Sequence, residues 1–230
     1  MPTRLCTLVI ALLWPLAVCA NDSAAAPSAR WPDSFLARIE ALALLQTLNA
    51  ELLSHDSATV TLEHWCELHR LASPPRIVAA RVAEAEKPPS PDQRRELGVT
   101  AVDLVRYRRV RLMCGSVVLS EADNWYVPSR LTPEMNRLLD TTDAPFGRVV
   151  QTLHFQRRTL SSTLLWHPLA EGWEMGEVDA TAGRDANGEL TIPPRLLEHR
   201  AVLSLPDGTP FSEVVETYTD QVLGFRFRAR

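Results

Sequence analysis

The chain has 230 residues, 46% of them hydrophobic and 23% charged, and a net charge of -4. That is enough apolar material for one ordinary core, and an acid-leaning balance that leaves no dense basic patch after local pairing argues against nonspecific binding to nucleic acid. Lys87 is the only lysine, so Schiff-base chemistry would rest on a single residue in a Pro-rich loop.

Residues 1–20 (MPTRLCTLVIALLWPLAVCA) carry one basic residue, an apolar run from Leu5 to Val18, and Ala20 before Asn21. The pattern predicts a secretory signal cleaved after Ala20, because the run is short for a membrane span. A lipoprotein signal ending at Cys19 fits less well, since Val18 sits where a small residue is wanted. Export would make the mature chain periplasmic or secreted, with no stable membrane insertion after cleavage. Only Cys66 and Cys114 then remain. They either form a disulfide or stay as two buried thiols, and no Cys-x-x-Cys spacing supports a zinc site.

Residues 21–32 (NDSAAAPSARWP) read as a polar linker, and residues 33–230 as a single domain. Phe35, Ile39, Leu42, Leu45, Leu48 and Leu52 recur at three- and four-residue intervals and predict a helix from about 33 to 53. After a break at Ser54-His55-Asp56-Ser57, a second helix is marked by Leu62, Trp65, Leu68 and Leu71, with Thr61 as its N-cap. Consecutive Ser54-His55-Asp56 is no catalytic triad, because adjacent side chains diverge. His64 and His69, five apart on that helix, share a face too poorly for a metal pair. Ser73-Pro74-Pro75 stops the helix, and Arg76–Val82 reads as a strand. The acidic, Pro-rich segment 84–98, with a helical turn at Asp92–Leu97, is either a lid or a surface excursion, the latter favoured.

Strands 105–114 and 117–128 pair about Gly115-Ser116. On the first, Arg106, Arg108, Val110, Leu112 and Cys114 share a face that is mostly apolar. Arg108 therefore points toward a core or cavity, or snorkels out along its stem. If it stays inside it needs a partner: a carboxylate, backbone carbonyls or an anionic ligand. A short helix over 133–139, a strand over 154–166 carrying Arg157 and Arg158, a loop over 167–195 with a turn at Asn187-Gly188, and a hairpin of strands 197–205 and 211–219 about Pro206-Asp207-Gly208 complete the chain. On the last strand Val214, Glu216 and Tyr218 share a face, with Glu213 on the other. Two helices followed by hairpin-linked strands predict an α+β fold, an antiparallel sheet packed by N-terminal helices.

Arg108, Val127-Pro128, Arg130-Leu131, the helix at 133–139 and Ala144-Pro145-Phe146-Gly147 follow one another as in chorismate lyase (chorismate–pyruvate lyase), and the chain resembles that family. His55-Asp56-Ser57-Ala58-Thr59 is similar to its acidic-Asp-Ser-apolar-Thr segment, and the final strand ends in a glutamate in the same order. Asn124 stands where that family tends to place an arginine. The resemblance implies a chorismate-lyase-like fold that needs no cofactor and acts on a small aromatic carboxylate; a monomer is expected, though the sequence itself does not reveal the oligomeric state. It implies conversion of chorismate to 4-hydroxybenzoate and pyruvate, with Arg108 and Glu216 as the catalytic pair. Arg108, Phe146, Ser57, Ala58 and Glu216 would bind the ligand, and Glu213 competes with Glu216 for the role of pocket acid. Export away from the cytosolic chorismate supply points to the alternative, an exported binding protein for an aromatic carboxylate that performs no chemistry.

Overall fold

In the computed structural model, which describes residues 30–82, 86–176 and 188–225, the alternating stretches become six strands. These are β1 (Ile77–Arg81), β2 (Arg106–Cys114), β3 (Val117–Tyr126), β4 (Gln156–Leu164), β5 (Arg195–Ser204) and β6 (Pro210–Thr219). They pair antiparallel in one sheet, in the order β1-β2-β3-β6-β5-β4. Two sequence-local hairpins, β2–β3 and β5–β6, thus meet at the β3–β6 seam. Gly115 (φ 59°) and Gly208 (φ 86°) turn these hairpins in the left-handed region that side chains with a Cβ disfavour. Together with five helices the sheet makes an α+β fold. Residues 1–20 of the expected signal, most of the expected linker and Asn187 of the expected turn lie outside the described residues.

Helices α1 (Phe35–Ser54) and α2 (Ala58–Leu68) belong to the main core over one face of the sheet. Ser34 caps α1 by accepting from the Ala37 amide. The face that α1 buries is Ala37, Ala41, Leu45, Leu48 and Leu52, which corrects the expected stripe: Phe35, Ile39 and Leu42 are only half-buried. Small alanines let the helix lie close to the core, and the larger residues are turned to its flanks, where Phe35 meets Trp173 edge to face. A second correction concerns α2, whose N-cap is Ser57 rather than Thr61. The chain is already extended at Ser57, so the helix starts at once, and Thr61 sits inside it with its hydroxyl donating back to the Ser57 carbonyl.

Cys66 on α2 and Cys114 at the end of β2 form a disulfide with Cα atoms 6.4 Å apart, which resolves the choice between a bond and two free thiols. Trp31, at the end of the segment read as a linker, is buried and donates its Nε1 hydrogen to the Leu223 carbonyl. That segment is therefore packed by Trp31. The helix α3 (Pro91–Glu96), opened by a Ser90–Gln93 capping box, and the loops around it cover the opposite face of the sheet. Leu97 packs there with Trp125 and Val127, and Lys87 lies over the Trp125 ring. Among the described residues of this segment, Leu97 and Lys87 lie over the outer face, while residues 86–89 border a second hollow that reaches Arg108.

Helices α4 (Pro133–Thr141) and α5 (Phe146–Val149) close the inner side beyond α2. Leu139 and Phe146 form a second apolar cluster with Tyr126, Phe155, Leu203 and Phe211. Among the described residues no helix is long and apolar enough to cross a membrane, and no group of three or more His, Cys, Asp or Glu side chains is placed to hold a metal ion.

Candidate functional site

A chamber with a mouth open to solvent lies where the two inner apolar clusters meet. Val110 and Leu112 of β2, Ala122 of β3, Val214 of β6 and Leu203 of β5 make an apolar floor. Phe146, Phe155 and Ala58 add apolar walls. Such a flat, greasy interior bounded by a few polar groups is the ordinary make-up of a small-ligand pocket. Gly147 lets α5 close tightly on the start of α2, because a Cβ there would stand 2.9 Å from Ser57 Oγ.

The polar groups sit at two ends. At one, Arg108 of β2 faces Asn124 of β3 in register. Arg108 is 6% exposed, and its Nη2 donates to the Ala144 carbonyl at 3.1 Å. Its Nε and Nη1 have no partner, and neither do Asn124 Nδ2 and Ser57 Oγ, although all are buried. Burial, aided by the nearby Arg81 guanidinium, pulls Arg108 down to about 10. The guanidinium is thus a buried cation without a carboxylate at hydrogen-bonding distance.

At the other end Glu216, next to Val214 along β6, is held by Arg157 of β4. Arg157 Nη2 donates to Glu216 Oε2 at 2.6 Å, and the two side chains are 4% and 8% exposed. Tyr218 donates its hydroxyl to the same oxygen at 3.3 Å. Burial draws the Arg157 guanidinium down, but Glu216, Tyr218 and Asp56 outweigh it and hold the group above its ordinary value. The Arg157 amide donates to Asp56 Oδ1, tying the mouth of the chamber to the start of β4. Behind Glu216 in the register stands His199, fully buried, with Nε2 2.8 Å from Asn49 Oδ1 of α1. Desolvation pushes this imidazole down to about 4, so it is neutral at ordinary pH.

Arg108 and Glu216 therefore line one chamber and do not pair with each other. They stand two strands and one inward-facing position apart, about 12 Å between Cα atoms at ordinary strand spacings. Both side chains rise from the same face of the sheet, so that spacing is about what a single ring with a polar group at each end spans. The other residues anticipated from sequence, Ser57, Ala58 and Phe146, also line this chamber. Glu213 does not: it is fully buried on the outer face, where Arg200 Nε donates to its Oε1 at 2.7 Å.

Sequence reasoning missed Arg157. Its neighbours Gln156 and Arg158 are exposed, and the β4 ladder with β5 is interrupted between Thr159 and Ser161. No alternation therefore marked it as inward-facing. The one available signal was arithmetic: a buried glutamate not paired with Arg108 needs another cation, and β4 carries two.

No protein-family model matches the chain. Among solved structures it is similar to the effector domain of PhnF from Mycobacterium smegmatis, at TM-score 0.44 and 14% identity over 71% of this chain and 88% of that one. It is also similar to the possible transcriptional regulator YydK from Bacillus subtilis, at TM-score 0.39 and 16% identity, covering 66% of this chain and 62% of YydK. The chain thus spans less than two thirds of YydK's length. A much nearer relative is the uncharacterized protein y4mC of Sinorhizobium fredii (strain NBRC 101917 / NGR234), 56% identical over 197 residues, or 85% of this chain and 82% of that protein. At that identity over most of both lengths, the chain belongs to the same family as y4mC.

Proposed function

We propose that the chain is a binding protein for a small aromatic carboxylate, built on a chorismate-lyase-like fold and exported by its N-terminal segment. The observation that carries this reading is Arg108: a buried guanidinium with Nε and Nη1 unpartnered, beside the unpartnered donor Asn124 Nδ2, with Ser57 Oγ, also unpartnered, lining the same chamber. Donors of this kind are costly to bury, and a ligand carboxylate answers them with charge-assisted, planar hydrogen bonds. Between those donors and Glu216 the floor is apolar and about one ring wide, which supports an aromatic body. The disulfide supports an oxidising compartment.

The second reading is chorismate lyase activity, favoured by Arg108 and Glu216 bounding the same chamber from two strands. Against it stands the commitment of Glu216 Oε2 to Arg157 and Tyr218. One experiment separates the two: purified protein is mixed with chorismate or with 4-hydroxybenzoate. Saturable binding of hydroxybenzoate without release of pyruvate from chorismate supports the binding protein. Turnover that disappears in Arg108→Ala supports the lyase, and neither binding nor turnover refutes both. Export is tested by fractionating cells and sequencing the N-terminus of the mature chain, which should begin at Asn21.

A further inference from the structure

The Arg157–Glu216 pair is more than the neutralisation of a buried acid, because it faces the chamber that Arg108 faces from the other end. Both hydrogen bonds that Glu216 receives fall on Oε2, so Oε1 is left for a ligand donor. On the arginine the bond uses Nη2, and Nε is buried without a partner. The pair therefore offers one acceptor and one donor side by side, with no net charge. Its rigidity is built in: Asp56 fixes the Arg157 backbone, and Tyr218 fixes the carboxylate.

Resting on the carboxylate-binding reading above, we infer that Arg157 is a specificity-determining residue: with Glu216 it selects ligands whose far end both donates and accepts a hydrogen bond. A hydroxyl para to the carboxylate meets that demand, as does a primary carboxamide. An aromatic amine does not, because its nitrogen lone pair is drawn into the ring and accepts poorly. A second carboxylate is rejected, since it brings an anion against Glu216 at a site whose own cation is already spent. A bare hydrogen leaves Arg157 Nε buried and unanswered and brings no donor to Glu216 Oε1, the situation in which polar sites discriminate most strongly.

The test is calorimetric titration of the protein with benzoate, 4-hydroxybenzoate, 4-aminobenzoate, 4-carbamoylbenzoate and benzene-1,4-dicarboxylate. For wild type, 4-hydroxybenzoate and 4-carbamoylbenzoate should bind about tenfold or more tightly than the other three, the worth of one satisfied hydrogen bond. In Arg157→Met the preference for hydroxyl over amine should shrink to about twofold, with 4-aminobenzoate still bound through its carboxylate. Glu216→Gln keeps the packing and frees the Arg157 charge. In that variant benzene-1,4-dicarboxylate should gain about tenfold over wild type, a readout that survives if Arg157→Met does not fold. Wild-type binding that ranks hydroxyl, amine and carboxylate alike overturns the inference while leaving the carboxylate site standing. So does a ranking unchanged in both variants. Failure of wild type to bind any of the five overturns the site itself.

Discussion

Replacing Arg108 by methionine should make the free protein more stable and unable to bind its ligand. The guanidinium is 6% exposed, and burial with Arg81 nearby lowers it from its ordinary value to about 10. At about 1.4 kcal/mol per pH unit, that depression corresponds to a cost of roughly 3 kcal/mol for holding the charge in the folded chain. The sign is destabilising throughout the neutral range, because the unfolded chain keeps the same charge in water and the folded one keeps it in the chamber. Methionine has similar length and no charge, so the cost is removed. Against it stands the lost hydrogen bond to the Ala144 carbonyl, worth about 1 kcal/mol. The net gain is about 2 kcal/mol, or roughly 4–8 °C in Tm for a chain of this size. Urea and thermal unfolding of both proteins, with and without 4-hydroxybenzoate, measure it. Wild type should gain stability from the ligand and Arg108→Met should not. A variant less stable than wild type by 1 kcal/mol or more would refute the reasoning, because it would make Arg108 a structural residue whose partners outweigh its desolvation.

Other outcomes follow from the same geometry. Gly147→Ala puts a Cβ at 2.9 Å from Ser57 Oγ and 3.4 Å from Thr59 Oγ1, so either the Ser57 hydroxyl swings away or α5 backs off α2. The expected loss is about 1–2 kcal/mol of stability, with weaker ligand binding read by the same titration. His199 is a base whose folded value, about 4, lies below its ordinary value of 6.5. Its contribution is complete above about pH 6.5 and is lost as pH falls toward 4, by roughly 3 kcal/mol at the lower end. Urea midpoints at pH 7 and pH 4.5 should show that slope in wild type and a shallower one in His199→Gln, and equal slopes would clear His199 of the effect. Breaking the Cys66–Cys114 bond with paired alanines opens a loop spanning 48 residues and should cost about 4 kcal/mol by loop entropy. A denaturation midpoint unchanged by the two substitutions would contradict that estimate.

Most of the fold was legible because it is written in local periodicity. β2 alternates cleanly, so Arg108 fell on the apolar face although snorkelling stayed open, and parity put Glu216 and Glu213 on opposite faces of β6 without saying which face held the chamber. What parity could not give was distance. Whether Arg108 and Glu216 touch depends on β3 lying between their strands, and strand order is a property of the whole sheet. Arg157 was illegible for a different reason. Its strand is an edge strand with an irregular register and polar neighbours, and its burial comes from reaching across β5 to a carboxylate on β6. The N-terminus of α2 was misjudged because Thr61 looked like a cap, whereas Ser57 had already ended the extended chain before it.

The strand order also constrains how this molecule can come into being. β6 is the last strand described along the chain, yet it is inserted between β3 and β5 in the middle of the sheet. A nascent chain that has emerged only as far as β5 holds two open half-sheets with unsatisfied edges, and the carboxylate end of the chamber has no Glu216 facing it. Closure of the sheet must wait until β6 itself has been made, a slow and long-range step. Under the export proposed above, such a delay would keep the chain threadable until it had crossed the membrane.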